Sequence, residues 1–234
     1  MSKKVLEVKN LTKNFGGLKA LNDCSLSIQE GSITGIIGPN GSGKSTLFNV
    51  ITGNVPTTKG EIFFYDNNIT GVPSYDLFSM GILRTFQIAH EFTNLTVLEN
   101  LMMVPGNQKG ENLLYTWLNP KLIKDQDKEI QDKALEVLDF LNLTHLTNEI
   151  AGNLSGGQKK LLELGRTMMV DAKIVFLDEV GAGVNRTLLK EIGTSILKLN
   201  QERGYTFCMI EHDMDFISRL CDPVIVLAEG SVLF

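Results

Sequence analysis

The stretch "SITGIIGPNGSGKSTLFNVITG", Ser32 to Gly53, decides the fold. Its first part, Ser32–Gly38, is a mostly apolar run of strand length that ends on the glycine opening a loop. "TLFNVITG" then reads as a helix, with Gly53 supplying the left-handed stop. Between them stands Gly38-x4-Gly43-Lys44-Ser45, the phosphate-loop pattern in the strand–loop–helix context it requires. Gly38, Gly41 and Gly43 let the chain through Pro39, Asn40 and Ser42 turn so that successive backbone N–H groups converge on phosphates at a helix N-terminus. Lys44 is placed to reach the β- and γ-phosphates, the Ser45 hydroxyl to hold Mg²⁺, and Thr46 to reach the α-phosphate. The chain is expected to bind a nucleoside triphosphate.

Outward from this stretch the pattern is first β, then α, then β. "LEV" near the start and "CSLSI" at Cys24–Ile28 read as half-buried strands, with turns at "FGG" and "QEG", and "GEIFFYD" as another strand. From about Val72 to Met169 the periodicity is helical. Ile130, Ala134, Val137, Leu138 and Leu141 fall at i, i+4, i+7, i+8 and i+11, one apolar stripe, and "VPGNQKGEN" before it is a polar loop. Strands return at "KIVFLD", "YTFCMIE" and "PVIVLAEGSVLF", with Thr187–Gln201 a crossover helix. The expected division is therefore a core of about 1–71 and 170–234, carrying a helical insertion of about 72–169.

Composition limits the function. A 25.9 kDa chain of 234 residues that is 43% hydrophobic can build a full core as one large domain or as one domain with an inserted subdomain. Its net charge of −5 and pI near 5.3 give no electrostatic support for nucleic acid as a partner. Apolar runs such as "VIVLA" are far short of a membrane span of about 20 residues. "MSKKVLEVKN" lacks the apolar region of a secretion signal. Cys24, Cys208 and Cys221, odd in number and in no CxxC pair, read as reduced, mostly buried thiols of a cytosolic protein.

Further chemistry is carried by residues at strand ends. "KIVFLDE" delivers Asp178 and Glu179 at the C-terminal end of a buried parallel strand, where open α/β sheets bind ligands. Asp178 is placed as an Mg²⁺ partner and Glu179 to accept a proton from attacking water; a strand end with two solvated acids is the plainer reading. His212 ends an apolar run of the same type, so it is expected at the same sheet edge, where a neutral imidazole can hydrogen-bond a γ-phosphate. Phe15 precedes a turn and reads either as a core residue or as a ring that stacks on a purine. Gln87, in "RTFQ", carries no chemistry by itself.

One motif remains. "NLSGGQKKLLELGRTMM", Asn153 to Met169, opens a second helix on Ser155, Gly156 and Gly157, with no strand before it. A serine N-cap explains Ser155 but not two glycines where helix formers are preferred. The second start serves either another ligand or a neighbouring molecule.

Taken in order, Phe15, the phosphate loop, Gln87, "LSGGQ", "FLDE" and His212 resemble the nucleotide-binding domain of ABC transporters, over essentially the whole chain. That resemblance implies a P-loop NTPase (RecA-like) α/β core with an N-terminal antiparallel β subdomain and an inserted α-helical subdomain. It implies ATP and Mg²⁺ as ligands, with Gln87 joining Ser45 and Asp178 at the metal and joining Glu179 and His212 in catalysis. It also answers the second cradle: two such domains pair head to tail, and Ser155–Gly157 of one would face the γ-phosphate bound by the other. "GGLKAL", "RTFQ", "LTVLENLMM", "AGNLSGGQKKLLELGR", "AGVN" and "IEHDMD" are most similar to the ATPase subunits of branched-chain amino acid importers. By implication the partners are transmembrane permease subunits, a second ATPase subunit, the same or related, and indirectly a substrate-binding protein. The expected location is the cytoplasmic face of the inner or plasma membrane. Urea or amide importers and lipopolysaccharide exporters have similar ATPases, and a soluble interaction module with weak hydrolysis is a further reading. Val180, Gly181, Asn185 and Arg186 depart from the common pattern after the catalytic glutamate, and the turnover rate is what they put in question. The chain ends at Phe234, where relatives usually continue, which reads as a shortened chain or a short variant.

Overall fold

Alternation in the first thirty residues builds a long hairpin. In the computed structural model, which describes residues 3–85, 92–106, 108 and 120–233, strands β1 (Lys4–Phe15) and β2 (Leu18–Gln29) pair antiparallel around a Gly16–Gly17 turn. Val8 and Leu11 are both buried although they are three apart, because the register slips between them at Asn10, whose φ is +50. This is a β-bulge, and it lets an odd spacing present two apolar side chains to one face. Strands β4 (Lys59–Phe64) and β5 (Asn67–Asn68) extend this sheet in the order β2-β1-β4-β5.

The second sheet is built from continuously apolar segments. Strands β3 (Ile33–Ile37), β6 (Ile82–Arg84), β7 (Ile174–Asp178), β8 (Phe207–Ile210), β9 (Val224–Ala228) and β10 (Ser231–Val232) run in the order β10-β9-β3-β8-β7-β6. All neighbours are parallel except β9 and β10. β7 and β8 are buried at every residue, as a parallel strand covered on both faces should be. Helix α1 (Lys44–Ile51) buries Leu47, Phe48 and Ile51 in a core shared with Val8, Leu21 and Ile62 of the first sheet and Ile36, Phe176 and Ile210 of the second. The Phe48 and Phe176 rings meet edge to face at 4.9 Å. Short α2 (Ser74–Ser79) follows β5.

The chain divides into two units, Met1–Gln87 with Ala172–Phe234, and Ile88–Asp171. The expected helical part, beginning near residue 72, takes in β6, which pairs with β7 in the parallel sheet. The unit boundary lies at Gln87 instead. A three-residue strand is too short for its period to show in the sequence, which is why it reads as part of the helical stretch.

In the second unit, α3 (Val97–Met102) starts on a capping box between Thr96 and Glu99. It is followed by α4 (Pro120–Phe140) and α5 (Gly156–Met168). Ala134, Val137, Leu138 and Leu141, four of the five stripe residues, are buried, and Ile130 is half-buried. Gly165 lets the helices close: a Cβ there would stand 2.9 Å from Leu141 and 3.1 Å from Val137 of the segment around α4, and 3.3 Å from Leu101 of α3. In the first unit, α6 (Arg186–Arg203) is the crossover from β7 to β8, and α7 (Met214–Leu220) precedes β9. Cys24, Cys208 and Cys221 are free thiols, and burial pushes Cys24 up to about 11. No helix among the described residues is long and apolar enough to cross a membrane.

Candidate functional site

Strand register brings the site together. Ile210 lies opposite Asp178 on one side and opposite Ile36 on the other. The residues that end or follow β3, β7 and β8 therefore leave one sheet at one edge, its C-terminal edge, where ligands of open α/β sheets sit. They are the loop from Gly38, the pair Asp178–Glu179, and Glu211–His212.

The loop from Gly38 to Gly43 has no room for side chains at its ends. A Cβ on Gly38 would lie 2.0 Å from the Leu227 carbonyl oxygen, and one on Gly43, at φ +101, would lie 2.6 Å from that of Ala20. The β9–β10 turn holds the middle of the loop, since the Gly230 N–H donates to the Ser42 carbonyl at 3.0 Å. Helix α1 starts at Lys44, and the first-turn N–H groups of Lys44, Ser45 and Thr46 have no intrahelical acceptor. They point out of the positive end of the helix, a cradle suited to an anion. The Lys44 ammonium, itself buried, donates to the carbonyls of Gly38 at 2.8 Å and Pro39 at 3.0 Å, folded over the loop. Burial holds it below the ordinary lysine value, opposed by the carboxylates of Glu179 and Asp178.

Asp178 is buried, and its Oδ2 pairs with Arg84 at 2.7 Å; its other oxygen takes no hydrogen bond from the described residues. Arg84 reaches across from β6 and also donates to Asn49 of α1, so one guanidinium ties the strand end to the phosphate-loop helix. With both partners largely buried, Arg84→Ala is expected to lower unfolding stability by about 3 kcal/mol, because the carboxylate is left without its cation. Urea titration reads this, and Arg84→Ala combined with Asp178→Ala should recover part of the loss. A single variant within about 0.5 kcal/mol of the native chain would contradict it.

Glu179 has φ +50, a left-handed conformation that non-glycine residues rarely adopt. Such strain persists only where surroundings over-determine it, and it concentrates at functional sites. The Glu179 Oε1 meets the His212 Nε2 at 3.1 Å. Both residues line a cleft of about 530 Å³ together with Asn40–Thr46, Phe15, Leu18, Lys19 and Glu229. That is the size of a pocket for a nucleotide-sized ligand. Phe15 is 49% exposed, so it is not a core residue, and its ring lies on the cleft wall with the Lys13 ammonium 4.9 Å from its centroid.

Gln87 lies outside the described residues. Ser155, Gly156 and Gly157 stand in the second unit at the start of α5. There Ser155 forms a capping box with Gln158, and Ser155 and Gly156 are exposed while Gly157 is buried. Of the departures, Val180 is buried and Asn185 caps α6, accepting the Leu188 N–H at 3.0 Å. Sequence reasoning overlooks Arg84, Glu211 and the Glu229–Gly230 turn. Only Glu211 left a signal, as an acid ending an apolar run beside His212.

The donor set fits a Mg²⁺–nucleotide. Mg²⁺ keeps several waters and takes one or two protein ligands beside the phosphates. Ser45 and the Asp178 oxygen that Arg84 does not take suffice for that, and no cluster of three or more His, Cys, Asp or Glu occurs among the described residues.

The family described as ABC transporter matches residues 21–182. The chain is 42% identical over 230 residues to the probable branched-chain amino acid transport ATP-binding protein LivG of Archaeoglobus fulgidus, covering 98% of this chain and 88% of that protein. It is 36% identical over 233 residues to the high-affinity branched-chain amino acid transport ATP-binding protein BraF of Pseudomonas aeruginosa, with 100% and 91% covered. Among solved structures, a nucleotide-free ATP-binding cassette from an ABC transporter superposes with TM-score 0.84 at 40% identity, over 99% of this chain and 90% of that one. A dimeric cassette in a post-hydrolysis state bound to ADP and Pi matches with TM-score 0.78 at 27% identity, over 98% and 97%.

Proposed function

Because the chain belongs to the ABC transporter family, as one of its ATP-binding ATPase subunits, we propose that it is the motor of an importer for branched-chain or similar hydrophobic amino acids. The observation that carries the chemical part is the Glu179–His212 contact beside the phosphate loop in one cleft. The solute class rests on the relatives' names.

In this reading Phe15 stacks on the purine, and the N–H groups of Asn40–Thr46 and the Lys44 ammonium neutralise the phosphates. Ser45, Asp178 and Gln87 would hold Mg²⁺, which neutralises charge on the transferring phosphate. Glu179 orients water and takes its proton, and His212 holds the γ-phosphate end. Ser155, Gly156 and Gly157 serve the nucleotide of a partner subunit, so the working unit is a head-to-tail pair with a second copy or a related ATPase. The subunit sits on the cytoplasmic face of the membrane against permease subunits, and a substrate-binding protein delivers the solute to them.

Co-purification tests this reading. Tagged Glu179→Gln chain is expressed in its native host, and membranes are solubilised with ATP present. Multi-span permease subunits and a second ATPase are expected in the eluate. Soluble proteins or nucleic acid alone would overturn the transporter role while leaving the ATP site standing.

A further inference from the structure

Between the apolar run of β8 and His212 stands Glu211, a carboxylate only 5% exposed that the chemistry above does not use. Both of its oxygens are occupied by backbone. Oε1 accepts the Gly181 N–H at 2.7 Å, and Oε2 accepts the His212 N–H at 3.2 Å. These two N–H groups belong to the two chain segments whose side chains meet in the cleft, Glu179 being two residues before Gly181.

The segment after Glu179 needs such a tether. The Glu179 N–H makes the last sheet bond, to the Ile210 carbonyl at 2.9 Å, and the chain then turns away through the left-handed φ of Glu179. The fit around the carboxylate is close: a Cβ on Gly181 would stand 3.4 Å from each Glu211 oxygen and 3.3 Å from Leu189. Gly181, one of the departures from the common pattern, is the residue whose N–H the acid holds. A buried charge is an expensive way to fill space, and an apolar residue would serve stability as well. What a carboxylate adds is two acceptors at fixed separation.

We propose that Glu211 is a positioning residue that clamps the turn carrying Glu179 to the strand end carrying His212, keeping base and imidazole in contact. The proposal rests on the roles assigned to Glu179 and His212 above. A displacement of about 1 Å in such a pair costs about 100-fold in rate, so Glu211→Ala is expected to lose about that much kcat. Glu211→Gln keeps one carbonyl acceptor and should lose about 10-fold. Affinity for a fluorescent ATP analogue should stay within about twofold in both variants, since the two hydrogen bonds of the Glu211 carboxylate go to Gly181 and His212 and not to the loop from Gly38 to Thr46.

Amide hydrogen exchange provides a readout independent of turnover. Glu211→Ala should speed exchange at Gly181 and His212 and leave the other amides of β7 and β8 protected. Turnover within about twofold of the native chain, or unchanged exchange at both amides, would overturn the proposal. So would a parallel fall in nucleotide affinity and a general rise in exchange, the mark of a merely structural residue. If the native chain hydrolyses no ATP, the assignment of Glu179 fails, while exchange at the two amides still decides whether the clamp exists.

Discussion

Glu179→Gln is expected to bind ATP as the native chain does and to release phosphate about 1,000-fold more slowly, within the range of about 10²–10⁴ for losing a positioned base. The amide keeps the shape of the side chain and a partner for His212 at the 3.1 Å contact, so the cleft should keep its geometry. What it loses is basicity, and water is no longer deprotonated as it attacks. With hydrolysis blocked, the ATP-bound head-to-tail pair should persist, and gel filtration with ATP should show a dimer that ADP does not support. Steady-state phosphate release checks the rate. Turnover within about tenfold of the native chain would remove Glu179 from the role of base.

Lys44→Ala should act on the other side of that division, losing nucleotide affinity rather than turnover alone. The ammonium is the only side-chain cation in the phosphate loop and lies beside carboxylates that repel a polyanion. Two charge-assisted hydrogen bonds to phosphate oxygens are worth about 3–6 kcal/mol, at least about 100-fold in Kd. The same ammonium bridges the Gly38 and Pro39 carbonyls, so the thermal midpoint should be followed alongside. A fluorescent ATP analogue titrated into the variant gives the affinity. An unchanged Kd would contradict the cradle as drawn.

How much of this was legible in the sequence depended on how local each signal is. The phosphate loop is contiguous, and its glycines, lysine and flanking run state the geometry by themselves; the structure adds only what the glycines avoid, the carbonyls of Leu227 and Ala20. Asp178 was legible because it ends an apolar run and His212 because it stands just beyond one, and parallel register then brings such ends to one edge. Short elements escaped: β6 has three residues and α7 seven, too few for a period to emerge. The β1 bulge likewise breaks the alternation that would have marked the full strand. Arg84 and Glu211 escaped for a different reason. Their partners, Asp178 and Gly181, lie 94 and 30 residues away, and only the folded sheet brings them together. The departures after Glu179 gain a meaning in the same way, Gly181 beneath Glu211 and Asn185 as a helix cap.

The measurement that bears most directly on the motor assignment is ATP-driven uptake of labelled leucine into proteoliposomes carrying the assembled transporter with this subunit. The account predicts uptake that requires ATP and substrate-binding protein and that falls to background when this subunit carries Glu179→Gln. Uptake undiminished by that substitution, or ATP hydrolysis with no uptake of any branched-chain amino acid, would contradict it.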